Sequence, residues 1–356
     1  MFFNDLNSMS LFCFSQNPHG GDIYAGDVQL DFSANTNPFG TPQGVIDALG
    51  AALPQIHRYP DPYCRELTQA ISDFEGVPAE QILCGNGAAE LIYAYCEAVR
   101  PKSAVELAPT FSEYALALER AGCKINRYSL RQEQEFELEE DFLDYLAQVT
   151  PEAVFLCNPN NPTGKVIALP LLKKILALCT EKDISLFVDE CFLDLSDSGE
   201  SLKPFLRENP RLFLLKAFTK SYGMAGVRLG YCMSGDAALL AEMSHVVQPW
   251  NVSSLAQAAG VAALYEQDFL RKTRALIAQE RPWLQTQLEA LGFWVCPSHT
   301  NFLLFQGEPG LHEKLRKKRI AIRNCDNYHG LGPGWYRIAV RLHGENAELI
   351  QAMKEA

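Results

Sequence analysis

Short apolar runs alternate with amphipathic segments through the middle of the chain. An apolar run of about four to six residues bounded by polar ones is typical of a buried strand, and such runs recur between residues 104 and 215. Segments with apolar residues at helical spacing separate them, as at Leu169–Cys179. Because strands that alternate with helices form parallel sheets, we predict an α/β fold with a mostly parallel sheet wrapped by helices. The predicted strands are Ala104–Leu107, Ala153–Cys157, Ile184–Val188 and Leu212–Leu215.

The regular alternation stops in the C-terminal part of the chain. A helical stretch near Asp268–Leu291 is followed by closely spaced short strands and helices. This pattern predicts a smaller α+β domain, with helices at Leu311–Arg319 and Gly344–Lys354. In it, strands Phe293–Cys296 and Asn301–Phe305 are expected to pair with strands Ile320–Ile322 and Trp335–Val340.

The length of the chain, 356 residues, allows two domains at about 150 residues each. We predict an N-terminal arm at residues 1–40 that contributes to the small domain and to the site. A large domain is predicted at residues 41–260 and a small domain at residues 261–356. A hydroxyl residue before proline, at Thr41–Pro42, predicts a helix start, and further helices are expected at Tyr63–Phe74 and Leu91–Val99.

Composition and charge narrow the class of protein. Hydrophobic residues make up 47% of the chain and charged residues 21%, which is typical of a globular protein. The net charge of −12 argues against nucleic acid or an anionic membrane as a partner. No apolar run reaches the roughly 18–20 residues that span a bilayer. We therefore expect neither a nucleic-acid partner nor a membrane partner.

The cysteines and the N-terminus bear on location. The 11 cysteines include no C-x-x-C pair, and their irregular spacing is typical of reduced thiols in a cytosolic protein without a metal site. The stretch Met1–Asn17 carries Asp5 and no Lys or Arg, so it lacks the cationic start of a secretory signal. We expect a cytoplasmic protein.

The stretch Ala217–Tyr231 holds the strongest candidate chemistry. Lys220 follows a predicted buried strand and lies among small and hydroxylated residues, whereas an ordinary surface lysine in a loop is the alternative. A partly desolvated lysine amine forms a Schiff base with carbonyl cofactors. The flanking hydroxyls of Thr219 and Ser221, with Arg228 further on, would suit a phosphate beside that bond.

Two further observations on the residues support a ligand site. Asn161, Asp189 and Lys220 each follow a predicted strand, and ligands of such sheets bind at the carboxyl ends of the strands. The stretch Cys84–Glu90 places small residues at a helix start, where backbone N–H groups and the helix dipole favour an anion. Many turns share this second feature, so it is weak evidence by itself.

With Asn158–Gly164, Ile184–Glu190 and Ala217–Tyr231, the chain resembles the fold-type-I aminotransferases of class I and II from about Asp31 to Arg341. These enzymes use pyridoxal 5'-phosphate. Asn161, Asp189, Lys220 and Arg228 stand in the order of that family and at its approximate spacing. The resemblance implies that Lys220 binds the cofactor and acts as a catalytic residue. It also implies that Asp189, the second catalytic residue, keeps the pyridine nitrogen protonated and that Asn161 donates to the phenolate oxygen of the ring.

The resemblance also implies the rest of the cofactor site. Phe111 is expected to stack on the pyridine ring. Tyr59 is expected to reach the cofactor phosphate of a neighbouring subunit, so a homodimer is implied. The remaining residues expected at the phosphate are Gly87, Ala88, Ala89, Thr219, Ser221 and Arg228.

Four residues are candidates for binding substrate. Arg337 lies where the family binds the α-carboxylate, and Arg323 matches a phosphate-binding position of the branch that uses phosphorylated substrates. His19 would add a phosphate contact, and Asn35 would help to orient the carboxylate. The resemblance therefore implies a small phosphorylated amino acid as the substrate.

Two groups of enzymes in that branch have residue patterns similar to that of this chain. These are the histidinol-phosphate aminotransferases and the threonine-phosphate decarboxylases that supply the aminopropanol linker of cobalamin. The stretches His19–Asp22, Asp31–Asn35 and Arg323–Cys325 look like the decarboxylase pattern. Phe192 does too, because related aminotransferases usually have a tyrosine three residues after the aspartate. We expect decarboxylation of O-phospho-L-threonine, with O-phospho-L-serine as a further substrate. The alternatives are transamination and cofactor binding without catalysis.

Overall fold

The computed structural model of the protein describes residues 19–24 and 27–355. The expectation about a secretory signal in Met1–Asn17 concerns residues outside this range. The twelve helices of the described part are α1 (Gln43–Ala52), α2 (Arg65–Glu75), α3 (Gly87–Val99), α4 (Glu113–Arg120), α5 (Asp141–Val149), α6 (Leu169–Glu181), α7 (Phe218–Ser221), α8 (Ala237–Val246), α9 (Ser254–Leu264), α10 (Gln267–Ala290), α11 (Leu311–Lys317) and α12 (His343–Lys354). None of them is long and apolar enough to cross a membrane.

The strands of the same residues form three sheets. They are β1 (Leu30–Asp31), β2 (Ile82–Gly85), β3 (Ser103–Ala108), β4 (Lys124–Ser129), β5 (Ala153–Cys157), β6 (Ser185–Asp189), β7 (Leu212–Ala217), β8 (Gly230–Ser234), β9 (Trp294–Val295), β10 (Phe302–Gln306), β11 (Ile320–Ala321), β12 (Arg323–Asn324) and β13 (Trp335–Ala339).

The largest sheet has seven strands in the order β2-β8-β7-β6-β5-β3-β4. All neighbours in it are parallel except β8, which runs antiparallel to both β2 and β7. Strands β5, β6 and β7 are buried along their whole length, as expected for a parallel sheet covered on both faces. The predicted mostly parallel sheet is present, and the predicted strands differ from the observed ones only by a residue or two at their ends.

The carboxyl ends of β5, β6 and β7 lie side by side at one edge of this sheet. Cys157, the last residue of β5, is paired with Asp189, the last residue of β6, and Asp189 is paired with Leu215 of β7. Lys220 follows at once in the short helix α7. The sheet register therefore places Asp189 and the segments that carry Asn161 and Lys220 at the same edge.

The C-terminal part contains a four-stranded antiparallel sheet in the order β12-β13-β10-β9. The prediction that Ile320–Ile322 joins this sheet is wrong, because β11 pairs in parallel with β1 of the N-terminal segment. The burial of Phe32 explains the difference. Its N–H donates to Ala321 O (2.8 Å) and its carbonyl accepts from Ala339 N (2.8 Å), while its side chain is fully buried in the core of this part. The domain boundaries proposed at residues 40 and 260 stay a prediction.

One helix start agrees with the sequence prediction and another differs. Helix α1 begins at Gln43, directly after Thr41–Pro42 as predicted. Its start has no side-chain cap, and the hydroxyl of Thr41 donates to Gly223 O (2.9 Å). Helix α3 begins one turn earlier than predicted, at Gly87. There the side chain of Glu90 accepts a hydrogen bond from Asn86 N (2.7 Å), which satisfies one of the free N–H groups of the first turn.

A cluster of charges is buried on the far side of β7 from Lys220. Lys216 Nζ lies 3.1 Å from both Glu75 Oε1 and Asp194 Oδ1, and Lys203 Nζ lies 2.8 Å from Glu75 Oε2. Burial by itself would raise the pKa of Glu75, but Lys216, Lys203 and the Tyr231 hydroxyl outweigh it and lower that pKa to about 2. The cluster therefore holds Glu75 ionised at neutral pH.

We predict that Glu75→Gln lowers the free energy of unfolding by about 3 kcal/mol at pH 7, because it leaves two lysines short of a buried partner. A carboxyl whose folded pKa is depressed stabilises the fold above its unfolded pKa, and this contribution is lost as pH falls through the folded pKa. The difference from wild type should therefore shrink between the unfolded pKa near 4.5 and the folded pKa of about 2. Urea titrations at several pH values measure it. Glu66→Gln, an exposed position on the same helix, is the control, and an equal effect of both variants would contradict the prediction.

Candidate active site

A cavity of about 350 Å³ opens at the carboxyl edge of the seven-stranded sheet. Its walls come from the N-terminal segment, from the large sheet with its following loops, and from the small sheet. The residues predicted for the site that line it are His19, Asn35, Ala88, Ala89, Phe111, Asn161, Asp189, Thr219, Lys220, Arg228, Arg323 and Arg337.

Lys220 enters the cavity from the first turn after β7. Burial lowers the pKa of its amine to about 8, and the guanidinium groups of Arg337 and Arg228 act in the same direction. An amine with this pKa is partly neutral at physiological pH, and only the neutral form attacks a carbonyl carbon. The local environment therefore suits Lys220 to form a covalent bond with a carbonyl compound.

Asp189 is buried at the floor of the cavity. Its carboxylate accepts hydrogen bonds from the hydroxyl of Tyr114 (2.6 Å) and from the backbone N–H of Cys191 (2.9 Å). Burial raises its pKa above the usual value, and these donors oppose that rise. The sequence analysis missed Tyr114, although it lies in the stretch Pro109–Tyr114 that also holds Phe111. A cationic ring nitrogen placed at Asp189 would compensate for the burial of this carboxylate.

One corner of the cavity is built for an anion. Gly87 begins helix α3 with φ of +81°, and a Cβ atom at this position would lie 2.5 Å from Arg228 Nη2. The absence of a side chain thus lets the guanidinium lie against the helix start, where Ala88, Ala89 and Thr219 also line the cavity. A guanidinium beside the amides of a helix N-terminus binds phosphate well. These residues fit the phosphate of the predicted cofactor.

Three of the predicted residues lie outside the cavity wall. Gly87, against which Arg228 packs, is one of them, and the others are Ser221 and Tyr59. The hydroxyl of Ser221 donates to Asp194 Oδ2 (3.2 Å), and its backbone oxygen accepts from Asn37 Nδ2 (2.7 Å). Because its hydroxyl is engaged by Asp194, Ser221 does not face the phosphate corner, contrary to the prediction. Tyr59 is 80% exposed and stacks on Trp250 with a ring separation of 4.6 Å. Its predicted contact needs a second subunit and stays a prediction.

Two arginines of the small sheet form another wall of the cavity. Arg323 and Arg337 face each other directly across β12 and β13, and both are buried. Arg337 donates to Asn161 Oδ1 and to Ser33 O (2.9 Å), which are both neutral oxygens. Beside it, Asn35 is 1% exposed, and neither its Oδ1 nor its Nδ2 has a hydrogen-bond partner. A buried cation next to an unsatisfied amide is the arrangement that a carboxylate ligand would complete.

His19 approaches the cavity from the N-terminal segment. Its Nε2 atom lies 2.6 Å from Glu113 Oε1, and the hydroxyl of Tyr93 donates to Glu113 Oε2 (2.9 Å). The imidazole also packs against Phe111, with ring centres 5.7 Å apart. Glu113 was not predicted from the sequence. It lines the cavity, and its contact with Nε2 fixes the position of the His19 side chain.

The wall beside Lys220 is apolar at the position that distinguishes this chain from related aminotransferases. Phe192 packs edge-on against Phe302 (5.0 Å), and Lys220 Nζ lies 5.8 Å from the centre of its ring. A hydroxyl does line the cavity nearby, on Tyr328, which sequence reasoning also missed. Its OH lies 3.5 Å from Asn161 Oδ1.

Comparison with known proteins agrees with this geometry. A family model described as aminotransferase class I and II matches residues 27–354. The threonine-phosphate decarboxylase of Salmonella typhimurium strain LT2 is 37% identical over 94% of this chain and 95% of its own length. A histidinol-phosphate aminotransferase of Desulfitobacterium hafniense is 35% identical over 92% of this chain and 91% of its own. Among solved structures, the histidinol-phosphate aminotransferase of Clostridium acetobutylicum superposes with a TM-score of 0.86 at 26% identity, covering 92% of this chain and 98% of that one.

We predict that pyridoxal phosphate attaches covalently to Lys220 and that the rate of attachment rises with pH, with a midpoint at about 8. The sign follows because the neutral amine is the nucleophile and its fraction grows as pH passes the pKa. Borohydride reduction followed by mass spectrometry of the labelled peptide measures the adduct. Lys220→Arg should not be labelled, whereas Lys102→Arg, an exposed position, should behave as wild type. Labelling at another lysine would contradict the assignment.

We also predict that Gly87→Ala weakens binding of pyridoxal phosphate by about tenfold, because the new methyl group displaces Arg228 and loses a charged hydrogen bond worth about 1.5 kcal/mol or more. Gly122→Ala is the matched control, since Gly122 has φ of +79° but no atom near its Cβ position. Both variants carry the same backbone strain, so both lose stability. Only Gly87→Ala should change the dissociation constant for the cofactor, measured by fluorescence titration of the apoproteins. Equal affinities in the two variants would refute the role of the Gly87–Arg228 contact.

Proposed function

The chain belongs to the class I and II aminotransferase family, and we propose that within this family it decarboxylates O-phospho-L-threonine to aminopropanol phosphate. The family and the fold-type-I architecture that the sequence predicted are confirmed. The predicted cofactor, pyridoxal 5'-phosphate, is confirmed with them. The protein is therefore an enzyme that depends on this cofactor, and its reaction and substrate are what we propose.

One observation carries the proposal. The buried guanidinium of Arg337, which bonds only neutral oxygens among the described residues, lines the same cavity as the unsatisfied amide of Asn35. Arg323 and His19 line the cavity as well. Two sets of anion-binding groups suit a substrate with two anionic groups. O-phospho-L-threonine carries a carboxylate and a phosphate, whereas histidinol phosphate carries no carboxylate.

The chain's own residues would divide the work as follows. The cofactor, when bound, supplies an electron sink for the pair left behind when a bond at the substrate's Cα breaks. Asp189 holds the ring nitrogen protonated, and Tyr114 and the Cys191 amide hold Asp189 in place. Lys220 would hold a proton as an ammonium group beside the substrate. It would donate that proton to Cα after CO₂ has left and so return to the neutral amine.

Substrate orientation would select the bond that breaks. The cofactor, when bound, would supply its electron sink to the Cα bond that the residues of the cavity align with it, so the group held in that direction would leave. We propose that Arg337 and Asn35 hold the carboxylate there, while Arg323 and His19 hold the phosphate at the other end. Two fixed anions leave the substrate little rotational freedom. The relative from Salmonella typhimurium, which is named threonine-phosphate decarboxylase, supports this reading.

Transamination of histidinol phosphate is the second candidate, and the relatives from Desulfitobacterium and Clostridium favour it. An aminotransferase would use the same cofactor residues. Phe192 speaks against it, because related aminotransferases usually place a tyrosine hydroxyl there and this wall of the cavity is apolar.

We further propose a cytoplasmic homodimer. Tyr59 and Trp250 stack on each other while both remain exposed, and exposed aromatic residues are enriched at interfaces between subunits. In a dimer Tyr59 could reach the partner's phosphate corner, as the sequence resemblance implies. Sedimentation of wild type and of Tyr59→Ala across a range of concentrations tests the assembly.

We predict that the holoenzyme releases CO₂ from O-phospho-L-threonine and forms no glutamate from histidinol phosphate and 2-oxoglutarate. O-phospho-L-serine lacks one methyl group, which is worth about 1–3 kcal/mol in an apolar pocket, so its kcat/KM should be lower by about 10- to 200-fold. Trapped CO₂ and enzymatically assayed glutamate measure the two reactions side by side, with Lys220→Ala as the inactive control. Glutamate from histidinol phosphate, with no CO₂ from either phosphoamino acid, would establish the aminotransferase instead.

A further inference from the structure

Tyr328 lines the cavity, but it has no role in the binding and catalysis described above. It lies in the turn between β12 and β13, where its N–H donates to Cys325 O (3.1 Å) and its carbonyl accepts from Leu331 N (3.1 Å). Its side chain is buried. The turn therefore places Tyr328 in the same cavity as the two arginines of the small sheet.

Arg323 is a neighbour of both the ring and the hydroxyl of Tyr328. Arg323 Cζ lies 5.3 Å from the centre of the ring, which supports the guanidinium by a cation–π contact. The hydroxyl reaches past it to Asn161 Oδ1 at 3.5 Å. The same oxygen accepts a hydrogen bond from Arg337 Nη1. Two donors, one charged and one neutral, therefore converge on a single amide oxygen.

The hydroxyl of Tyr328 accepts a hydrogen bond from the side chain of Arg323, but as a donor it is poorly satisfied. A donor–acceptor distance of 3.5 Å is at the long limit for an O–H···O hydrogen bond, and Arg337 is the stronger donor to the shared oxygen. Burial raises the pKa of Tyr328, so the hydroxyl keeps its proton at neutral pH and acts as a donor. An anion that arrives at Arg337 would offer it a better acceptor within the same space.

We propose that Tyr328 is a substrate-binding residue whose hydroxyl donates a hydrogen bond to the carboxylate held by Arg337. The proposal rests on the proposed function, since it needs a substrate with an α-carboxylate, and it names a residue that recognises that group. The apolar wall at Phe192 makes the assignment more specific, because the nearest tyrosine hydroxyl on the cavity lining comes from the small sheet.

The physical consequence is a split between binding and turnover. The carboxylate loses its negative charge as CO₂ leaves, so a hydrogen bond to that charge is stronger in the bound substrate than in the transition state. An interaction of this kind lowers KM and does not raise kcat. A residue that only maintained the fold, or one that stabilised the transition state, would produce a different pattern.

The test compares Tyr328→Phe with Tyr336→Phe. Tyr336 lies in the same sheet, but its hydroxyl donates to Glu308 O (2.8 Å) and is absent from the cavity lining. Loss of a hydrogen bond to a charged group should raise KM for O-phospho-L-threonine by about tenfold or more in Tyr328→Phe. The kcat should not fall, and it should rise by less than the same factor, because the lost hydrogen bond is weaker in the transition state than in the bound substrate. The inhibition constant of aminopropanol phosphate, which has no carboxylate, should not change. Tyr336→Phe should match wild type in all three.

Two results would overturn the proposal. An unchanged KM would show that the hydroxyl does not touch the substrate, and an equal rise in the inhibition constant of aminopropanol phosphate would show that Tyr328 acts on the phosphate through Arg323. Calorimetric titration of O-phospho-L-threonine into Lys220→Ala, with and without Tyr328→Phe, keeps the test independent of turnover. Wild-type enzyme that binds this compound without releasing CO₂ would refute the proposed function, while the titration would still report whether Tyr328 contacts the carboxylate.

Discussion

The burial of Lys220 and Asp189 together at one edge of the sheet is the constraint on which the site depends. Burial pushes each towards its neutral form: the pKa of the lysine falls and that of the aspartate rises. Neutral forms are what an unliganded buried pair favours. A cofactor that brings an aldehyde to the lysine and a basic ring nitrogen to the aspartate uses both shifts, because it reacts with the neutral amine and restores a partner to the carboxylate. The environment is therefore matched to the ligand.

The same strands keep this pair apart from a second set of charges. Successive side chains of a strand point to opposite faces, so Lys216 faces away from the cavity while Ala217 lines it. Glu190 follows Asp189 in the same way and binds Ser201 and Leu202 N. Asp194 links the two sides, since it bonds both Lys216 and the hydroxyl of Ser221. The loop of Lys220 is thus anchored from behind, which explains why Ser221 is unavailable to a phosphate.

How much the sequence could predict follows from how local each feature is. Asp189 and Lys220 were predictable because each comes at the end of a mainly apolar strand, and parallel strands bring their ends together. Tyr114 and Tyr328 were not, because their hydroxyls act on residues far away in the chain, and no local pattern records such a contact. The prediction that Ile320–Ile322 pairs within the small sheet was wrong for the same reason, because a distant residue decides the pairing. A short strand of two residues carries no register signal, and the burial of Phe32 decided its partner.

The two sheets carry different parts of the site. This explains why the sequence predicts the cofactor more readily than the reaction. The residues that would hold the cofactor come from the large sheet and its loops, which decarboxylase and aminotransferase relatives alike would need. The groups that would hold the substrate's anions, Arg323 and Arg337, stand on the small sheet. That sheet is joined to the N-terminal segment through the hydrogen bond from Ala339 N to Phe32 O, and the same segment supplies His19 and Asn35 to the cavity. Changes in the N-terminal arm and the small sheet could therefore alter the reaction by aligning a different substrate bond with the ring. The buried pair at the large sheet would not need to change.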